Sequence, residues 1–383
     1  MLGGAPTLGL RYSLAAVLVN QHFLFKLEID ADAASPTPRR LNDHEIASRL
    51  SYALWSTMPD AELFAAADAG TLQTDAELSR QIDRMLADPR AAALSENFAG
   101  QWLAFREANH EPDVRAFPTY TPALVASMAE EAERFFSDFL GSQRPLNELL
   151  SARFTYVDTS LANHYGLPVQ SGMQPGQMWM ADTTGAPRSG LLTLGAVLTA
   201  TSLTTRTSPV KRGEFVLKHL LCETVTPPPP DVIGIPDEVD PNQMLTMRQR
   251  MEQHRENPNC IGCHIDMDQL GFGLENYDGI GRYRTAEPNG LAVDSAGVLP
   301  DGSAFTGAVE LANLLSQDSR FNHCVTKNLM TFVLGRYLDQ PDDPVWIAHV
   351  AGTTRDTGGR LGTLVRTLLT SESFRSRQAL VVR

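Results

Sequence analysis

The chain has 383 residues, 43% hydrophobic and 20% charged, with a formal net charge of −13. This length outgrows one ordinary core and implies two or three domains. The composition excludes a disordered chain, and an acidic balance without a basic stripe excludes a nucleic-acid binder, which has to neutralise phosphates.

Residues 8–25 are apolar in part but include Arg11, Asn20, Gln21 and His22. The cleavage-like triplet Ala31-Asp32-Ala33 comes only after the charged Lys26, Glu28 and Asp30. The stretch reads as neither a signal peptide nor a spanning helix, and no other segment is apolar enough to cross a membrane. Leu14, Val17, Leu18 and Phe25 share one side of a helix, which predicts an amphipathic helix. Helix then follows helix. Asn42 with Glu45 predicts a capping box ahead of the apolar face Ile46, Leu50, Ala53 and Leu54, and Thr74 with Glu77 predicts a second one. Pro59-Asp60 opens a short helix that Gly70 ends, and Asp88-Pro89 stops the helix begun at Thr74. Leu94, Phe98, Trp102, Leu103 and Phe105 mark the next. Thr121-Pro122 starts a long helix through Phe135 and Phe136 to Gly141, with Pro at the first position. Glu130, Glu131 and Glu133 on it lack a Glu-x-x-His partner for a di-iron site and read as a solvated face.

Gly190 to Ser202 predicts a buried helix, Thr204 to Pro209 a break, and Glu214 to Leu221 a further helix. Pro227 to Pro230, followed by Pro236 and Pro241 among acidic residues, reads as a stiff linker over 226–242. Beyond it, Met244 to Arg255 is helical. Residues 284–307 read as loops with a small hairpin, and Glu310–Leu315, Phe321–Leu338 and Leu361–Ser371 as helices. The fold class is mainly α.

Cys260-Ile-Gly-Cys263-His264 names a chemistry. Two thiols three positions apart lie on one side of a helical turn, so both can form thioethers with the two vinyl groups of one haem. The adjacent His264 then serves as proximal iron ligand. The rival reading is zinc held by Cys260, Cys263, His264 and His254, although the chain has no second Cys-x-x-Cys. A third reading is no cofactor. The remaining cysteines, Cys222 and Cys324, read either as a disulfide or as two buried thiols.

These residues resemble a family. Arg49 to Ser56 (RLSYALWS) with Met58-Pro59-Asp60, and Phe154 to Asp158 (FTYVD) with Leu161 to Gly166 (LANHYG), are similar to the first of the consecutive domains of unknown function in large secreted planctomycete-type cytochrome c proteins. Arg188 to Leu192 (RSGLL), Thr205 to Gly213 (TRTSPVKRG) and the four prolines resemble the next domain. His254 to Pro258 (HRENP), the haem motif, Met267-Asp268, Leu270 to Asp278 (LGFGLENYD) and Gly281 to Arg284 (GRYR) follow in the family's order, and Leu334-Gly335-Arg336 fits the last domain. Gln269 stands where the family usually has Pro, which is expected to loosen a turn.

The resemblance implies one covalent haem c and a periplasmic or secreted location. It also implies an N-terminally truncated copy whose export signal lies upstream. Expected domains are the tail of a preceding helical domain (1–38), a helical domain of unknown function (39–168), a helical segment (169–225), the linker (226–242) and a cytochrome c-like haem domain with C-terminal helices (243–383). It favours the Cys222–Cys324 disulfide. Met330 or His254 is expected on the distal side of the iron, unless that position is open. Met267, three residues past His264, is expected at the haem edge, and Arg282 and Arg284 at the propionates. The function expected is electron transfer to and from a redox partner protein encoded nearby. The alternatives are a peroxidase-like enzyme with an open distal site, or a structural zinc-binding or interaction domain.

Overall fold

The computed structural model describes residues 6–30, 37–105, 111–226, 244–254 and 258–377. The chain is mainly helical, and among the described residues its strands form three two-stranded antiparallel sheets. It divides into two compact units. One comprises Met1–Leu94, Met330–Tyr337 and Val365–Arg383, the other Ser95–Leu329 and Leu338–Leu364.

The first unit is built from capped helices. Asn42 caps the helix Asp43–Trp55 by accepting from Glu45 N, and the Glu45 carboxylate accepts from Asn42 N, so two amides with no intrahelical partner are satisfied reciprocally. Thr74 caps Asp75–Ala87 from one side only: it accepts from Glu77 N, while the Glu77 carboxylate is taken by Arg80. Asp60 caps Ala61–Asp68 and also accepts from Arg84 and Arg90. Those two guanidiniums lie 5.3 Å and 3.5 Å from the centre of the buried Trp55 ring. The indole N–H donates to the Met85 carbonyl at 3.0 Å. Strand Arg39–Arg40 pairs with Ser376–Arg377, which ties the start of the unit to its end. The helix Pro6–Leu18 leaves Leu14, Val17 and Leu18 exposed, and Phe25 lies beyond it, also exposed, rather than on its face.

In the second unit the helix Pro122–Gly141 starts at Thr121 as its cap and Pro122, and buries Leu124, Met128, Phe135, Phe136 and Phe139. Phe98 stacks on Trp102, both rings meet Phe136 edge-on, and Trp102 also meets Phe321. Glu131 is not on a solvated face. It is 1% exposed, and its carboxylate accepts from Thr155 Oγ1 and Tyr165 OH, each at 2.6 Å. The stripe Met128, Glu131, Phe135 keeps helical spacing, so position outweighs charge. Strand Phe154–Val157, which supplies Thr155, pairs with Trp179–Asp182.

The stretch 190–202 is helical in two pieces: a 3₁₀ turn Leu191–Thr193 and a short helix Gly195–Ala200. The expected break holds from Thr204 to Ser208, and Pro209 itself opens the next helix, Pro209–Phe215, at its first position. The small hairpin expected within 284–307 is Ala296–Val298 paired with Ala304–Thr306. A helix at Asp343–Asp356 has no counterpart in the sequence reading, because only Asp343, Ile347, Val350 and Thr354 turn inward and no strong apolar stripe marks it. Cys222 and Cys324 form a disulfide across 102 positions of sequence. The Pro-rich stretch lies, Thr226 apart, outside the described residues. Among the described residues no helix is long and apolar enough to cross a membrane.

Candidate functional site

The Cys-x-x-Cys-His run lies in the helix Pro258–Phe272. Helical spacing puts backbone positions 260, 263 and 264 on one face. The side chains of His254, Cys260 and Cys263 lie outside the described residues. His264 is described: its Nδ1 stands 3.0 Å from Oδ1 of Asp268, one turn further along. The imidazole is mostly buried and the carboxylate fully so, with side-chain exposures of 17% and 0%. A carboxylate only accepts, so Nδ1–H is the donor of this contact. In the sequence Asp268 stands only within the Met267-Asp268 motif; its i,i+4 relation to His264 is the signal that marks it.

The helix is held by a very close crossing with Pro209–Phe215. A Cβ at Gly213 would stand 1.7 Å from the Met267 carbonyl oxygen, and one at Gly271 1.9 Å from that of Pro209. Only glycine at both positions lets the two backbones meet. Gln269 sits inside the helix, which runs on to Phe272, so the turn expected to loosen there does not exist.

Beyond the helix, two of the quoted motifs converge. Arg212, fully buried, donates to the carbonyls of Leu274, Tyr277 and Asp278 at 2.7, 2.9 and 2.8 Å and pairs with Glu275 at 3.1 Å. Burial lowers the Arg212 pKa, against which the Glu275 charge raises it. The other Glu275 oxygen accepts from Thr207 at 2.6 Å and from Arg284 at 3.1 Å. One buried guanidinium thus fixes the loop that follows the haem-motif helix.

Arg284 belongs to this network, and Arg282 is exposed. Met267 is buried. Met330, fully buried, belongs to the first unit, whereas His264 belongs to the second. Among the described residues, which omit the cysteine side chains of the motif, no three His, Cys, Asp or Glu converge as a metal site.

Three family models match in tandem, each described as a protein of unknown function: DUF1592 over residues 41–167, DUF1588 over 188–287 and DUF1585 over 301–374. The second match contains both the Cys260–His264 run and the Arg212–Glu275 pair. No curated protein and no solved structure matches the chain. The chain is therefore a tandem of three domains of unknown function, the set associated with planctomycete cytochrome c-like proteins.

Proposed function

We propose that the chain carries one covalently attached haem c on the helix Pro258–Phe272 and serves as an electron-transfer module in the periplasm or cell envelope. The observation that carries the reading is the His264–Asp268 pair, set one residue after the second thiol of a Cys-x-x-Cys spaced along the same helix. A metal-binding histidine characteristically gives its other ring N–H to a carboxylate or carbonyl, which fixes tautomer and ring orientation. Asp268 does this for His264, so Nε2 is the ligating nitrogen. When bound, the haem supplies a one-electron couple. Cys260 and Cys263 would anchor it, and the glycine-locked crossing would keep His264 from shifting. The domain set supports the reading by association. The Cys222–Cys324 disulfide fits an oxidising compartment, and the charge of −13 fits a basic redox partner protein.

A second reading, a peroxidase-like haem enzyme, is favoured by the same pair, because a carboxylate partner raises the basicity of a ligating histidine. A spectrum separates the two. A low-spin iron indifferent to peroxide supports electron transfer, and a high-spin spectrum that shifts with peroxide supports the enzyme.

The test is expression with an added export signal beside the c-type maturation machinery, followed by a pyridine haemochrome spectrum and a haem-stained denaturing gel. The wild type should stain at its own mass. The Cys260→Ala/Cys263→Ala variant should not. Equal staining of the two would overturn covalent attachment.

A further inference from the structure

Within the second unit a cavity of about 610 Å³ opens between the 205–207 loop, the start of the helix Met247–His254 and the 278–288 loop. His264, Met267 and Asp268 do not line it. The volume lies in the range of small-molecule sites, roughly 300–1,000 Å³. Phe117 and Met247 give it apolar walls, while Arg206, Arg250 and Arg284 face two carboxylates, Asp278 and Glu287.

Most of this charge is already committed. Arg284 is bound to Glu275. Asp278 Oδ1 accepts from the amides of Ile280 and Arg282, both at 2.9 Å. Both Glu287 oxygens accept from Met247 N, at 2.8 and 2.9 Å. Arg250 is different. Its side chain is 10% exposed, and its nearest carboxylate oxygen, on Glu287, stands 3.6 Å away, beyond hydrogen-bond distance. Its Nε has no hydrogen-bond partner among the described residues. Buried polar groups are nearly always satisfied, so an under-coordinated guanidinium at a cavity wall marks where an acceptor belongs.

We infer that this cavity binds a small organic monocarboxylate with an apolar body, its carboxylate on Arg250 and its body against Phe117 and Met247. A carboxylate matches the guanidinium fork in charge and in planar geometry. With Arg284 already committed to Glu275, the under-coordinated Arg250 offers the cavity one guanidinium charge, which a monoanion neutralises. A phosphate dianion would leave surplus negative charge beside Asp278 and Glu287 and would not fill the apolar wall. The inference is independent of the haem reading.

The experiment is calorimetric titration of the full chain with 3-phenylpropionate, with 3-phenylpropionamide and inorganic phosphate as comparisons. The carboxylate should bind saturably, at least tenfold tighter than either. Arg250→Met, with an unchanged unfolding midpoint, should lose at least tenfold in carboxylate affinity and leave the amide unaffected. Amide or phosphate binding as tight as the carboxylate, or no saturable binding at millimolar carboxylate, overturns the proposal. The wild-type comparison decides this even where the variant fails to fold.

Discussion

Glu131 shows what one residue can reveal about a core. Burial pushes its carboxyl up to about 7, and the hydrogen bonds from Thr155 and Tyr165 only partly oppose this. Tyr165, buried beside it, is raised well above the usual phenol range for the same reason, then by the Glu131 charge. The folded state therefore holds this proton more tightly than the unfolded chain, whose carboxyl titrates near 4.5. Between those values the native state binds more protons, so stability falls as pH rises and levels off above the folded pKa. The span corresponds to about 3 kcal/mol at one pKa unit per 1.36 kcal/mol. Glu131→Gln keeps the shape and removes the titration. Urea unfolding at pH 5 and pH 8 should show wild type losing stability across that interval by more than the variant does, and equal pH slopes would count against a buried, proton-binding Glu131. In the sequence, three glutamates in a run suggested solvent. The neighbours Met128 and Phe135 at helical spacing carried the contrary signal, and the three acceptor contacts come from chain segments that periodicity cannot place.

At the scale of elements, local chemistry was readable and long-range pairing was not. The helix starts at Asn42, Asp60 and Thr121 each depend on a partner within three residues, and each helix begins where the sequence placed its start. The strands Phe154–Val157 and Trp179–Asp182 pair across an intervening helix, and four residues carry too little alternation to announce a strand. The crossing of Pro209–Phe215 with Pro258–Phe272 also lay beyond periodicity. It rests on Gly213 and Gly271, each opposed by backbone of the other helix. Backbone cannot rotate aside as a side chain can, so Gly213→Ala must force the helices apart. The expected cost is about 1–3 kcal/mol or more, the usual scale of overpacking. Gly352, within Asp343–Asp356, has nothing within 4 Å of an added Cβ, so Gly352→Ala should be neutral or stabilising by up to ~1 kcal/mol. Denaturant midpoints of the two variants measure the contrast. A Gly213→Ala protein as stable as wild type would mean the crossing is looser than it stands here.

For the whole molecule, the constraint with the longest reach is the disulfide. The chain has four cysteines, and Cys222–Cys324 takes two of them, which leaves Cys260 and Cys263 outside that bond, as the proposed haem attachment requires. The closed loop spans 102 positions and contains the haem-motif helix and the hairpin at 296–306. Neither unit is continuous in sequence, which a reading in chain order does not disclose, whereas the pairing of these cysteines was legible through resemblance, because spacing alone left buried thiols as an equal reading. Closing a loop of this size removes unfolded-state entropy worth about 4–5 kcal/mol in the chain-entropy model, and losing a native disulfide typically costs about 2–5 kcal/mol. A Cys260→Ser/Cys263→Ser background isolates the bond, since its two remaining cysteines are those of the disulfide. Thiol titration of that variant in denaturant without reductant should find none, and two after reduction. Its unfolding midpoint should fall on reduction by an amount equivalent to a few kcal/mol, because the helix that carries His264 then belongs to an open segment. Two titratable thiols in the unreduced, exported protein would mean that the bond does not form, and the argument for an oxidising compartment would fall with it.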